Sequence, residues 1–94
     1  METLDIELDG NFYRSIVRDP ELTNSEKITY IYLREFSISN GYCTHTDEEL
    51  KEIFTLSDSG ISKRISNLRR KGYIRTETIR SGVPYAERRI YPLK

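Results

Sequence analysis

The sequence predicts a small α+β domain with a helical core and a C-terminal β-hairpin. Three patterns in the 94 residues support this class. Apolar residues recur at helical spacing in several segments, and two of these segments begin with a capping box. Near the C-terminus, turn-forming residues join two β-prone runs. A chain of this length fits one domain, so we expect a single domain over residues 1–94.

The segment from Leu56 to Ile74 carries the most complete helix pattern. Ser57 can act as an N-cap, and Gly72 is suited to the left-handed conformation that follows many helices. Between them an apolar stripe forms at about 100° per residue, made of Ile61, Ile65 and Leu68. The opposite face combines short polar side chains with cations and has no acid: Ser59, Lys63, Ser66, Asn67 and Arg70.

Whether this side of the helix binds DNA depends on charge as well as on side-chain type. Small polar groups and cations reach base edges and phosphates in the major groove, and the alternative is an ordinary solvated helix face. The net charge of the whole chain is zero, but the charges are unevenly distributed. Residues 1–56 contain 12 acidic and 5 basic residues, whereas residues 57–94 contain 3 acidic and 10 basic residues. The second part carries +7, which suits phosphate binding, and attraction between the two oppositely charged parts is the alternative.

The N-terminal residues predict a short strand and a short helix. Apolar and acidic residues alternate over residues 4–9, which predicts a docked strand or a dimerisation arm within residues 1–11. Over residues 12–17 the apolar spacing becomes helical, and Asp19-Pro20 marks the end of that helix.

Two capping boxes open the helices in the middle of the chain. Residues 23–26, TNSE, predict a helix that runs to about Ser39, before Gly41. Residues 46–49, TDEE, predict a helix of about two turns that extends to Phe54.

The buried face of the first of these two helices is predicted from its apolar residues. They cover one wide arc, with Tyr30 and Leu33 outside it: Ile28, Ile31, Tyr32, Phe36 and Ile38. Glu35 falls inside the arc. Without a second carboxylate or a histidine at matched spacing, a partly buried acid paired with an Arg or Tyr is favoured over a catalytic acid.

Cysteine and histidine usage limits the chemistry. The single cysteine, Cys43, excludes an intramolecular disulfide, and the single histidine, His45, argues against a metal or triad site. Residues 42–44 predict a short strand, with Cys43 as a small buried hydrophobe and His45 in a capping or packing role. We expect no catalytic residue, no metal and no cofactor, because no Gly-rich phosphate loop or nucleophile–base pair is present.

Features of membrane and exported proteins are also missing from the sequence. No apolar run approaches the roughly 20 residues that span a bilayer, and the acidic N-terminus does not resemble a signal peptide. The expected location is therefore the cytoplasm, without a membrane partner.

Two β-prone runs at the C-terminus predict a hairpin. Residues 73–79 and 85–91 are its predicted strands, and residues 80–84 contain the turn chemistry that joins them. With Ile74 and Ile90 facing the core together, the predicted pairing sets like charges opposite each other: Arg75 with Arg89, and Glu77 with Glu87. Such pairs are mildly destabilising, which leaves a bulge or a shifted register as alternatives.

The order of these elements is that of a winged helix-turn-helix domain. The chain resembles the recognition-helix signature of that family at Leu56-Ser57, Ile61, Ile65, Leu68 and Lys71-Gly72-Tyr73-Ile74. More narrowly, it resembles the DNA-binding domain near the N-terminus of plasmid and phage replication initiation proteins at Thr23 to Leu33, Tyr42-Cys43 and Thr46 to Leu50. The resemblance covers about residues 12–91, and it implies that residues 73–91 form the wing.

The resemblance implies a sequence-specific double-stranded DNA-binding module, acting as a small phage- or plasmid-type transcriptional regulator or as an origin-recognition domain. It implies DNA contacts from Ser57, Ser59, Ser62, Lys63, Ser66, Asn67 and Arg70 in the helix and from Arg75, Arg80, Arg88 and Arg89 in the hairpin. Three residues depart from the family pattern: Lys51 replaces a small residue, Thr55 a turn glycine, and Gly60 a phosphate-binding Thr. The initiators usually continue into a further domain, so replication initiation as a complete activity does not follow.

A winged-helix protein–protein module is the alternative function. It would use the same helix or the acidic N-terminal half, although the basic face lacks the aromatic anchors that dominate many protein interfaces. A homodimer and a protein partner on the acidic half both stay open. An enzyme finds no support in the motifs of the sequence.

Overall fold

The computed structural model describes residues 13–80 and 86–94. Over these residues the chain forms four helices followed by an antiparallel two-stranded hairpin, which confirms the predicted α+β class. The helices are α1, which includes residues 13–17, α2, Asn24–Glu35, α3, Asp47–Phe54, and α4, Asp58–Arg70; the strands are β1, Ile74–Ile79, and β2, Glu87–Pro92. The arm predicted for residues 1–11 and most of the predicted hairpin turn lie outside the described residues.

Both predicted capping boxes are present. Thr23 Oγ1 accepts the backbone N–H of Glu26 at 3.2 Å, and Glu26 Oε1 accepts the N–H of Thr23 at 3.0 Å. The same exchange links Thr46 and Glu49, at 3.2 and 2.8 Å. Because each box satisfies backbone donors that a helix start leaves unpaired, these short local motifs determine where α2 and α3 begin.

Helix α1 ends before Asp19-Pro20, as predicted. Its Ile16 is buried, and its Tyr13 hydroxyl donates to Glu35 Oε1 at 2.7 Å. The predicted Tyr partner of Glu35 is therefore present, but the carboxyl group is exposed and not partly buried as predicted.

One core joins the helices to the hairpin: Ile16, Leu22, Tyr30, Leu33, Cys43, Leu50, Ile61, Ile65, Leu68, Tyr73, Ile74 and Ile90.

Helix α2 ends at Glu35, four residues before the predicted end at Ser39. The Ser37 hydroxyl donates to the carbonyl of Leu33 at 2.6 Å, so a side chain satisfies an acceptor that further helix would have satisfied. Gly41 has a φ of +86°, but it ends the turns that follow the helix rather than the helix itself.

The predicted buried face of α2 is wrong. Tyr30 and Leu33, which the apolar spacing places outside the arc, have no exposed surface, whereas Ile28, Phe36 and Ile38 are 59%, 52% and 61% exposed. Two other members of the arc pack against the edge of the core: Ile31 and Tyr32. The helix is therefore rotated relative to the orientation that its apolar residues predict.

Hydrogen bonds with Arg64 and Lys94, which lie far away in the chain, explain this rotation. They satisfy the polar groups of Thr29 and Tyr30 on the face that is buried. Thr29 Oγ1 donates to the carbonyl of Ser25 at 2.9 Å and accepts from Arg64 Nη1 at 3.1 Å. The Tyr30 hydroxyl donates to the carbonyl of Lys94 at 2.6 Å and accepts its N–H at 2.9 Å. A buried polar group with a hydrogen-bond partner avoids most of the desolvation penalty, so this mixed face can enter the core.

The hairpin register differs by two residues from the predicted one. Thr76 lies opposite Ile90, Arg75 opposite Tyr91, and Glu77 opposite Arg89. The predicted like-charge pairs are therefore wrong, and the alternative of a shifted register is confirmed, with Glu77 facing a base. Because side chains alternate with a period of two, the shift leaves unchanged the predicted burial of the two isoleucines on one face, Ile74 and Ile90.

The predicted strand at residues 42–44 is a single antiparallel bridge between Cys43 and Ile90. Cys43 is buried, and burial raises the pKa of its thiol. Its Sγ atom lies 3.1 Å from Nδ1 of His45, whose Nε2 lies 3.1 Å from the Tyr32 hydroxyl. These contacts confirm a packing role for both residues.

Candidate nucleic-acid interface

Helices α3 and α4 are joined by a turn of three residues, 55–57. Thr55 ends α3 in the left-handed conformation with a φ of 54°, at the position where the family resemblance expects a glycine. The backbone N–H of Leu56 then donates to the carbonyl of Lys51 at 2.9 Å. The turn is therefore closed without glycine, by a β-branched residue in a conformation that such residues rarely adopt.

An ion pair ties the two helices together across this turn. Lys51 Nζ lies 2.6 Å from Oδ1 of Asp58 in the first turn of α4, and 3.2 Å from Oε2 of Glu48. The hydrogen bonds from Asp58 and Glu48 raise the pKa of Lys51. Lys51, which departs from the family pattern, therefore links α3 to the start of α4 through its charge.

Ser57 caps α4 as predicted, accepting the backbone N–H of Gly60 at 3.2 Å. Its hydroxyl oxygen also lies 3.3 Å from that of Ser59. A Cβ atom at Gly60 would lie 3.3 Å from Ser57 Oγ, so the cap limits the space for a larger residue there. At the other end, Gly72 follows the helix with a φ of +87°, as the sequence predicts.

The predicted orientation of α4 is confirmed. Its apolar stripe is buried, with Ile61 and Leu68 fully covered and Ile65 5% exposed. The opposite face is exposed and carries five predicted contact residues: Ser59, Ser62, Lys63, Ser66 and Arg70. Lys63 makes no ion pair or side-chain hydrogen bond within the described part of the chain, so its charge faces solvent. This surface of α4, defined by these five residues, is called the polar face below.

Asn67 lies at the border of the polar face and is half-buried. Its Nδ2 donates to Glu26 Oε2 at 3.1 Å, and its Oδ1 accepts from Arg70 Nη2 at 3.0 Å. Glu26 is only 3% exposed, and its Oε1 accepts from Lys71 Nζ at 2.8 Å. The end of α4 is thus bonded to the start of α2 through a buried carboxylate.

Burial raises the pKa of Glu26, but hydrogen bonds from Lys71, from the backbone of Thr23 and from Asn67 outweigh it. The net effect is a pKa below the ordinary value of 4.5, so the carboxyl group is ionised at neutral pH. A carboxylate can only accept hydrogen bonds, which determines how its neighbours must be oriented.

Two of the predicted wing residues share the outer face of the hairpin. The guanidinium of Arg75 lies 4.1 Å from the ring centroid of Tyr91, and that of Arg89 lies 4.5 Å from the ring centroid of Tyr42. Arg89 also donates to Glu87 Oε2 at 2.7 Å, a bond that raises its pKa. Arg75 is exposed and has no acidic partner among the described residues, so it is the more available of the two cations.

Arg88 lies on the other face of the hairpin. Its Nη1 donates to Asp47 Oδ1 at 2.7 Å and its Nη2 to the carbonyl of His45 at 2.9 Å, while its Nε is buried without a partner. Arg80 is exposed at the end of β1. Of these two predicted wing residues, Arg88 is therefore bonded within the protein, whereas Arg80 is exposed to solvent.

Nothing in the sequence pattern indicates that two further residues shape this region, Arg69 and Glu26. Arg69, in the last turn of α4, is exposed, and its Nη1 lies 3.4 Å from Thr76 Oγ1. The sequence predicts Glu26 as part of a capping box, but it does not indicate the bonds of Glu26 to Asn67 and Lys71. No local pattern could have indicated them, because these partners are 41 and 45 residues away.

No family model, no curated protein and no solved structure was found to match the chain. Among the described helices, none has the length and apolar character needed to cross a membrane. Within residues 13–80 and 86–94, no group of three or more His, Cys, Asp and Glu side chains is arranged to hold a metal ion.

Proposed function

We propose that the protein is a winged helix-turn-helix module that binds double-stranded DNA through the polar face of α4. The observation that carries the proposal is that one side of α4 is buried in the core, while the other side presents serines, Lys63 and Arg70 to solvent. Small hydroxyl groups and long cations are the side chains that reach base edges and phosphates in a major groove.

The arrangement of elements supports this proposal. Helices α3 and α4 follow each other across a turn of three residues, and the hairpin follows α4 directly. This is the order in which a recognition helix is followed by a wing. Arg75 and Arg80 are the cations of β1 and its end that are available for a DNA backbone, whereas Arg88 is engaged by α3.

The proposed role is that of a small phage- or plasmid-type regulator or an origin-recognition domain, acting in the cytoplasm, where such DNA is found. The role rests on the sequence resemblance described above. It requires no cofactor and no catalytic group.

The test is binding to random-sequence duplex DNA over a salt series, measured by fluorescence anisotropy. Removing a single phosphate contact should reduce the slope of log affinity against log salt by about one unit. We expect weaker binding and a reduced slope for Lys63→Ala and for Arg70→Ala. Arg18→Ala removes one exposed charge outside α4 and the hairpin, and it should leave both quantities unchanged.

Equal behaviour of all three variants, or wild-type binding that does not respond to salt, would remove α4 from the binding surface. A protein partner would then be the better explanation. One observation favours that alternative: an apolar ridge along α2 and its C-cap residue, formed by Ile28, Tyr32 and Phe36, is partly exposed to solvent.

A further inference from the structure

The orientation of the Asn67 amide is determined by a buried carboxylate. Glu26 Oε2 lies 3.1 Å from Nδ2 of Asn67, and Glu26 Oε1 accepts from the backbone of Thr23 and from Lys71 Nζ. Since an ionised carboxylate has no donor, only the NH₂ end of the amide can face it. The amide oxygen of Asn67 is thereby turned outward.

That oxygen holds Arg70. Asn67 Oδ1 accepts a hydrogen bond from Arg70 Nη2 at 3.0 Å, one turn further along α4. Arg70 is exposed on the polar face, and no other side-chain hydrogen bond to it is formed within the described part of the chain. The guanidinium is thus held at one nitrogen and keeps its remaining donors for a ligand.

We propose that Asn67 is a positioning residue, which acts on DNA only through Arg70. The sequence grouped Asn67 with the residues that contact DNA, but both ends of its amide are used inside the protein. Glu26 determines the orientation of the Asn67 amide, and the amide oxygen in turn orients the Arg70 guanidinium. Arg70 then donates hydrogen bonds to a phosphate or a base. This role rests on the proposed DNA-binding function.

Holding Arg70 in place strengthens binding because a long side chain loses rotamer freedom when it is immobilised in an interface. That loss is on the order of 0.5–1.5 kcal/mol per side chain, which corresponds to about a 2- to 10-fold change in affinity. Asn67→Ala should therefore weaken binding by about this factor. It leaves the bonds of Glu26 with Lys71 and Thr23 in place, so the variant keeps the main link between α2 and α4.

A double-mutant cycle tests the proposal. DNA affinity is measured for the wild type, Asn67→Ala, Arg70→Ala and the double variant, each confirmed to be folded by circular dichroism. We expect Asn67→Ala to have no further effect once Arg70 is absent. Additive losses would mean that Asn67 contacts DNA itself and would overturn the proposal.

Lys63→Ala supplies the matched control, because Lys63 lies on the same face and forms no hydrogen bond with Asn67 or Arg70 within the described residues. In that background the effect of Asn67→Ala on affinity should be retained in full. Weaker binding by Lys63→Ala with unchanged binding by Arg70→Ala would overturn this proposal and leave the proposed function standing. Unchanged binding by both variants would reject the proposed function.

A second measurement does not depend on DNA. Relaxation of the Arg70 Nε–Hε group by nuclear magnetic resonance reports how strongly the free guanidinium is ordered. Its order should fall in Asn67→Ala and stay unchanged in Lys63→Ala. Equal order in the wild type and in Asn67→Ala would show that the amide does not hold the side chain.

Discussion

Arg88 Nη1 donates to Oδ1 of Asp47 at 2.7 Å, and this pair joins β2 to the first turn of α3. A second pair, Lys71 with Glu26 at 2.8 Å, joins the end of α4 to the first turn of α2. In both, a cation of the basic half meets an acid of the acidic half, so part of the charge asymmetry serves internal attraction. Other cations have no acidic partner among the described residues and stay available to phosphates: Lys63, Arg70, Arg75 and Arg80.

Replacing Arg88 by Ala should lower stability and leave the DNA affinity of the folded protein unchanged. The pair with Asp47 is partly exposed, so most of the destabilisation comes from removing the bond to the His45 carbonyl, and the total should be about 1–2 kcal/mol. Urea unfolding and duplex binding measure the two quantities. Weaker DNA binding without a change in unfolding would return Arg88 to the wing contacts.

Replacing Arg75 and Arg80 together by Ala should weaken binding to all duplex sequences by a similar factor. Phosphate contacts position a protein without specifying bases, and neither side chain has an acidic partner within the described residues. Affinities for a duplex selected from a random pool and for its scrambled version provide the comparison. A larger effect on A·T-rich selected sites would instead indicate an Arg in a narrow minor groove.

Ile65→Ala should destabilise the fold by about 2–5 kcal/mol, because this side chain fills the centre of the buried stripe of α4. Ser66→Ala is the neighbouring control on the exposed face and should change the free energy of unfolding by less than about 0.5 kcal/mol. Thermal and urea unfolding of both variants test the orientation of the helix. Similar midpoints for the two variants would contradict it.

Thr55→Gly should stabilise the protein. A left-handed conformation costs a non-glycine residue about 1–2 kcal/mol, and the added flexibility of glycine in the unfolded chain offsets roughly 0.4–1 kcal/mol of that gain. The net increase in unfolding free energy should be about 0.5–1 kcal/mol. Gly72→Ala, at a φ of +87°, is the reverse experiment and should destabilise. A less stable Thr55→Gly variant would show that the threonine side chain contributes more than its backbone costs.

Glu26 should make the protein sensitive to acid. Its folded pKa lies below the ordinary 4.5, so its ionised form contributes stability above that pH, and the contribution is lost as the pH falls below 4.5 through the folded pKa. Glu26→Gln resembles the protonated state. The stability difference between wild type and Glu26→Gln should therefore be largest well above pH 4.5 and shrink as the pH falls below it. A difference independent of pH would mean that the carboxylate charge is not what stabilises this contact.

Local sequence patterns are sufficient to predict where α2, α3 and α4 start and which side of α4 is buried. The capping boxes at Thr23 and Thr46 involve residues three positions apart, and the cap at Ser57 acts over the same distance. The stripe of Ile61, Ile65 and Leu68 is unambiguous because the rest of that helix is polar. Such features depend on neighbours within one or two turns, so they can be predicted without knowledge of the fold.

Three features depend on long-range contacts and could not be predicted in this way: the buried face of α2, the register of the hairpin and the orientation of Asn67. Glu26 and Thr29 are buried because Lys71, Asn67 and Arg64 reach them from the distant α4 region. Apolar spacing predicted the opposite result for α2, since it takes no account of polar groups that find partners after folding. Burial and pairing depend on contacts between residues far apart in the chain, and these are settled only when the helices pack together.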